Sequence, residues 1–192
     1  MARERATDTT ALVAAAAEVF RVRGYHNATI DDIAEAAGIS RPTVYKYTKS
    51  KQHLLDLMVD QVTQDMGRRM QAVIHSTDDP TERLRRVVRA HVEAAVANRT
   101  FYAIVLSEEV EVSDAGREQF RKWARGVTAE FQELVEECLR AQRNPPKVDP
   151  FIVANLVLSM LTSLYRWYDP TGPASPERLT DEILLVIGNL LP

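Results

Sequence analysis

The stretch ATIDDIAEAAGISRPTVYKYTKSKQHLLDLM, from Ala28 to Met58, constrains this chain more than any other. Ile30, Ile33, Ala34 and Ala37 predict one face of a short helix. Gly38 offers a residue that tolerates a left-handed turn, and Ile39, Val44 and Tyr47 predict a second helix whose apolar side meets the first. The start signals agree with this reading. Thr29 is placed to cap the first helix, with Asp32 as the acidic member of a capping box, and Ser40 is placed to cap the second, with Pro42 in its first turn. The layout is a helix-turn-helix. With Val44 and Tyr47 turned inward, the outward face is expected to carry Arg41, Pro42, Thr43, Tyr45 and Lys46, groups short enough to meet base edges and a cation for phosphate. The same pattern also suits two helices that merely pack together, so it does not establish DNA binding alone.

The flanks extend the pattern into a domain. Leu12, Ala15, Ala16, Val19 and Phe20 recur at helical spacing from Thr10 to Arg23, predicting a third helix that Gly24 ends. After Ser50 a longer helix is expected, its inner face running from Leu54 and Leu55 through Met58, Val62, Met66 and Met70 to Ile74. Residues 1–55 therefore form a predicted helix-turn-helix domain, and residues 56–192 a helical second domain entered along the long helix.

From Phe20 to Met58 the sequence resembles the DNA-binding domain of the TetR family of transcriptional regulators. The resemblance is carried by Phe20, Gly24, Tyr25, Thr29, Ile33, Ala34, the run Ala37 to Ser40, Thr43, Val44, Tyr45, Tyr47, Ser50 and Lys51. One departure is Tyr47, where the family most often has phenylalanine. The resemblance implies operator recognition, with Tyr45 and Lys51 as contacts to the DNA backbone beside the Thr29 turn. Arg3 and Arg5 are further candidates for phosphate or a minor groove.

Charge is distributed to match. The chain carries a net charge of −3, yet residues 1–55 hold eight lysines and arginines against six acids, a net +2 that leaves the remainder at −5. The basic end is thus the one suited to a polyanion. The apolar run from Phe151 to Leu164 is broken by Asn155, Ser159, Thr162 and Ser163, which reads as a buried helix and predicts no membrane association. The opening residues lack a signal-peptide core, and a cytoplasmic location is expected.

The rest of the chain reads as helices separated by turns, giving an all-α fold of about nine helices. HSTDDP, from His75 to Pro80, is the expected domain boundary, and Asp149-Pro150 and Ser175-Pro176 are helix starts. Ala154, Ser159, Ser163, Ile183, Ile187 and Gly188 lie on the last two long helices, which are apolar around most of their circumference. These residues are the candidates for pairing with a second copy in a homodimer.

Catalytic chemistry has no visible carrier. There is no glycine-rich phosphate loop, no paired-cysteine site and no HExxH, and His26, His53, His75 and His91 fall on unrelated faces. No catalytic residue, metal site or cofactor is expected. Phe101, Tyr102, Phe120, Trp123, Phe131 and Tyr165 instead predict an aromatic wall for a small amphipathic effector, with Arg89, His91, Arg99 and Arg166 as candidates for its polar head. An aromatic core is the competing account of the same residues.

The tail resembles that of TetR-family repressors from fatty-acid and sterol catabolic clusters, through Arg166, Trp167, Tyr168, Pro170, Gly172, the Ser175-Pro176-Glu177 turn and Gly188. Some of those respond to acyl-CoA thioesters, which makes such a thioester the leading effector candidate. The expected function is a dimeric repressor released from a palindromic double-stranded operator by a small effector. A non-catalytic helical adaptor is the alternative, and an enzyme ranks third.

Overall fold

Helices begin where the sequence offers an oxygen to cap them. In the computed structural model, which describes residues 8–74, 76 and 79–190, the Asp8 carboxylate accepts the Ala11 amide at 2.7 Å and opens α1 (Thr9–Arg23). Thr29 and Asp32 form the full capping box of α2 (Ile30–Ala37), Thr29 Oγ1 accepting the Asp32 amide at 3.1 Å and Asp32 accepting the Thr29 amide at 2.9 Å. Gly38 ends α2 at φ +66°, a left-handed conformation that costs a glycine nothing. Ser40 then caps α3 (Arg41–Tyr47), whose early proline replaces an amide that has no partner inside the helix.

The helices that follow are α4 (Lys51–Ile74), α5 (Pro80–Ala97), α6 (Arg99–Ser107) and, after a 3-10 turn at Glu109–Glu111, α7 (Asp114–Ala141). The last three are α8 (Pro150–Thr162), the short α9 (Leu164–Trp167) and α10 (Pro176–Leu190). The fold is all-α, with the helix-turn-helix joined by the long α4 to a larger helical part. Asp149 caps α8 and Ser175 accepts the Arg178 amide at the start of α10, both where the sequence placed them. Of the expected boundary, His75, Thr77 and Asp78 lie outside the described residues.

Two helix ends are set by side chains. α5 stops at Asn98, whose side-chain amide donates to Ala94 O at 3.1 Å and to Asp65 Oδ2 at 2.8 Å. The run from Phe151 to Leu164, expected as one buried helix, is divided at Ser163, whose hydroxyl turns back to Met160 O at 2.8 Å and competes with the helical ladder.

The chain forms two compact units. The first comprises residues to Val62 and Thr100–Phe120; the second comprises Thr63–Arg99 and the residues from Arg121 onward. In the first, Leu12, Ala16, Ile33, Val44, Leu54, Leu55 and Met58 are fully buried and bring α1 to α4 around one core, which Ile104, Val105 and Val112 complete. In the second, Met66, Val88, Val92, Val135, Ala154, Leu161 and Ile187 are buried to 1% exposure or less. No helix among the described residues is long and apolar enough to cross a membrane.

Candidate functional site

The outward surface of α3 is short, because only seven residues separate its caps. Arg41, Pro42, Tyr45 and Lys46 are exposed on it, as the alternation of inward and outward positions requires. Arg41 donates to Asp31 of α2 at 2.8 Å and lies over the Tyr45 ring at 6.0 Å. Tyr45 and Asp31 both hold the guanidinium charged, raising its pKa further. Lys46 makes no ion pair among the described residues.

Thr43 is the exception, and its predicted place on the outward face is corrected. It keeps only 9% exposure, and its hydroxyl meets Ser40 Oγ at 2.8 Å while its amide bonds the same oxygen. Three residues after the cap, Thr43 turns back over it and braces the start of the helix. Thr29 and Lys51 are also committed within the unit. Thr29 gives both its hydroxyl proton and its amide to Asp32, and these bonds, with Arg23 at 2.9 Å, keep the Asp32 carboxyl below the usual range. Lys51 Nζ donates to Tyr25 O at 2.8 Å and His26 O at 3.2 Å and lies 4.7 Å from the Tyr25 ring centroid, tying the start of α4 to the loop after α1. Arg3 and Arg5 lie outside the described residues.

The base of this unit is held by a polar ladder on α4. Gln52, Asp56 and Asp60 stand one turn apart and meet Glu111 O at 3.1 Å, the Ser113 amide at 3.0 Å and Gln119 Nε2 at 2.6 Å. Gly116 makes the approach feasible, since a Cβ there would lie 2.6 Å from Asp56 Oδ1 and 2.9 Å from Val112 Cγ1. The acids Glu108, Glu109, Glu111 and Asp114 gather at this corner, where Arg117 bonds the backbone oxygens of Val110 and Val112 and the Asp114 carboxylate. Among the described residues no group of acids and histidines is arranged to hold a metal ion.

The residues expected around an effector divide between the units. Phe101 and Phe120 pack against the core of the first, and Tyr102 is buried there. Arg89, His91, Arg99, Trp123, Phe131, Tyr165 and Arg166 belong to the second. Phe131 and His91 are buried, Trp123 and Tyr165 half-buried, and Arg89, Arg99 and Arg166 exposed; Arg166 Nε donates to the Tyr165 hydroxyl at 2.8 Å. A cavity of about 250 Å³ in this unit has walls that were not foreseen: Ile74, Arg83, Glu130, Glu133, Leu134 and Glu137, with Arg83 and Glu137 ion-paired. Cys138 nearby is buried, its thiol pushed up to about 11, and it donates to Pro80 O.

The residues expected at a dimer contact differ in burial. Ala154, Ile183 and Ile187 are core, at 0, 6 and 1% exposure, and Ser163 is half-buried with its hydroxyl bonded; only Ser159 and Gly188 are exposed. The exposed apolar side chains are instead Phe151, Ile152 and Leu156 on α8 and Leu185 and Val186 on α10, each at least half exposed. On α8, Ile152, Leu156, Ser159 and Ser163 follow one helical stripe.

Comparison with known proteins agrees with this architecture. Residues 12–58 match the family described as bacterial regulatory proteins, tetR family, and residues 77–191 match the tetracyclin repressor-like C-terminal domain. The HTH-type transcriptional repressor KstR2 of Mycolicibacterium smegmatis is 24% identical over 186 residues, spanning 92% of this chain and 86% of the repressor. Among solved structures, the ketosteroid transcriptional regulator KstR2 of Mycobacterium tuberculosis superposes with a TM-score of 0.86 at 21% identity, covering 98% of this chain and 97% of that one. AibR in complex with isovaleryl coenzyme A and operator DNA gives a TM-score of 0.81 at 22% identity, covering 96% and 98%.

Proposed function

The chain belongs to the TetR family of bacterial regulators and is a ligand-responsive, DNA-binding transcriptional regulator, not an enzyme, and from that premise we propose how its parts divide the work. Residues 1–55 read a palindromic operator as a homodimer, with one α3 in each of two successive major grooves and half-sites roughly 34 Å apart. The observation that carries this reading is the outward face of α3, where Arg41, Pro42, Tyr45 and Lys46 stand exposed on a helix fixed at its cap. Arg41 faces the bases and Tyr45 and Lys46 the phosphates, while Thr43 shapes the helix start. Thr29 and Lys51 support this edge, the lysine keeping one of its three N–H donors for phosphate. Arg3 and Arg5, outside the described residues, are further candidates for contact with the DNA.

The dimer contact is the apolar face of α8 and α10 carrying Phe151, Ile152, Leu156, Leu185 and Val186, with Ser159 and Gly188 allowing close approach. Residues 56–192 bind a small, largely apolar effector, and its binding lowers operator affinity by a coupling of about 1–3 kcal/mol that operator DNA returns to the effector in equal measure. An acyl-CoA thioester remains the leading class, supported by the coenzyme A ester held by AibR, with Arg89, Arg99 and Arg166 as exposed cations for its phosphates. Phe131, Trp123 and Tyr165 are its apolar contacts.

Selection of duplexes from a random library tests the function. An enriched inverted repeat with half-sites one helical turn apart, or slightly more, is expected. No enrichment at low and moderate salt would return the chain to the adaptor reading. Identifying any molecule retained on natively purified protein by mass spectrometry, and titrating it into the operator complex, tests the effector separately.

A further inference from the structure

Two buried side-chain nitrogens have no hydrogen-bond partner among the described residues, Arg83 Nε and His91 Nδ1, and both stand on α5. They differ in kind. Arg83 is already paired with Glu137 and lines the acidic cavity, so Nε is one unmade bond on a group otherwise matched. His91 keeps only 4% exposure, and α5 packs against α8, α9 and α10, while near its ends it also reaches Asp65 of α4 and Glu137 of α7. The buried side chains of α8, α9 and α10 are aliphatic apart from Tyr168 just past α9 and Thr180, and both hydroxyls are given elsewhere, to Ala174 O at 2.9 Å and Pro176 O at 2.8 Å.

A buried polar atom without a partner weakens a fold, and a leucine would fill this position without that cost. Asn98, the buried polar side chain that ends α5, donates both of its side-chain amide hydrogens, to Asp65 and to Ala94 O. The fold therefore has no evident use for an imidazole at position 91. We propose that His91 is the polar anchor of an effector site in the second unit, its Nδ1 sharing one hydrogen bond with an uncharged hydroxyl or carbonyl on an otherwise apolar molecule. This rests on the effector reading above and narrows it.

The restriction to an uncharged group follows from the surroundings. Burial pushes the His91 imidazole down to about 4, so at neutral pH it carries no charge to meet an anion. Burial alone shifts His91, with no neighbouring charge contributing, and a buried ion without a counter-charge is strongly disfavoured. A neutral imidazole has one N–H and one lone pair, so Nδ1 serves a hydroxyl in either tautomer and a carbonyl when it carries the proton. A charged head on the same effector belongs at the exposed arginines, away from this nitrogen.

The test uses the full chain labelled with nitrogen-15 at histidine and four probes of one bulk. They are 4-tert-butylcyclohexanol, 4-tert-butylcyclohexanone, the parent hydrocarbon tert-butylcyclohexane, and 4-tert-butylcyclohexanecarboxylate. The alcohol and ketone should shift the His91 ring nitrogens and bind about ten-fold tighter than the other two. His91→Leu should abolish that preference while raising thermal stability, and His91→Asn, whose amide sits near the Nδ1 position, should restore part of it. Equal preference in wild type and His91→Leu, tightest binding by the carboxylate, or failure of all four to move the His91 nitrogens would each overturn the anchor. The wider effector reading falls only if no retained or added molecule changes operator affinity, which the mass-spectrometric experiment decides independently.

Discussion

The two compact units treat their special residues in opposite ways. In the first, each one is answered close by: Asp32 by Thr29 and Arg23, Lys51 by the Tyr25 and His26 carbonyls, and Asp56 by the Ser113 amide across a glycine that leaves room for it. In the second, His91 Nδ1 has no partner among the described residues and five large apolar side chains on α8 and α10 face outward. The difference separates a part that must present α3 in one geometry from a part that completes itself by binding. Rigid presentation lowers the ordering cost of DNA docking, whereas unmatched groups give a ligand or a second copy something to supply.

The first unit is most sensitive at its core. Val44 is fully buried, and Val44→Asp should unfold the helix-turn-helix, losing more than about 4 kcal/mol, read as lost helicity and a lowered denaturation midpoint. Retained stability would mean that α3 is not anchored as described. On the second unit, Leu156→Glu with Val186→Glu should leave the monomer folded, because both side chains are exposed, while shifting sedimentation from dimer to monomer. An interface losing two central apolar groups weakens by about 2 kcal/mol or more for each. An unchanged dimer would place the contact elsewhere.

Acid sharpens the contrast. His91 has a folded pKa of about 4 against an ordinary value near 6.5, so between those values the unfolded chain binds the extra proton. Its contribution to stability is fully present above pH 6.5 and is lost as pH falls toward 4, by up to about 3 kcal/mol. His91→Leu should flatten that part of the pH–stability curve, and an identical slope in both proteins would show that the imidazole is not held neutral. Gly116→Ala should cost about 1–3 kcal/mol through the crowding of Asp56 and Val112, with Asp56→Ala relieving part of it in the double variant. The smallest effect is Thr29→Ala, about 1 kcal/mol from one lost cap, measured by chemical denaturation.

What the sequence made legible was local. The caps at Thr29, Ser40 and Asp149, the glycine turn at Gly38 and the buried faces of α1 and α2 follow from residue type and helical spacing alone. What it hid depends on contacts far apart in the chain. Thr43 looked outward because one turn of a seven-residue helix has too few positions to fix a face, and the Ser40 hydroxyl decided it. Lys51 looked free because its partners lie 25 and 26 residues earlier. Phe101 and Phe120 belong to the first unit because residues 100–120 return to it, a topology no local period encodes. On α8 and α10 apolar residues surround the helix, so periodicity could not tell the core face of Ala154 and Ile187 from the exposed face of Leu156 and Leu185.

In the proposed function the outward face of α3 reads DNA while the rest of the first unit holds it still. The most direct measurement is duplex selection from one random library by the wild type and by a variant with Arg41, Tyr45 and Lys46 all changed to alanine. These three side chains are exposed, so the variant should keep its helicity and its dimer. The wild type should enrich an inverted repeat and the folded variant none. The same repeat enriched by both, at comparable affinity, would contradict the account and move the reading of DNA away from α3.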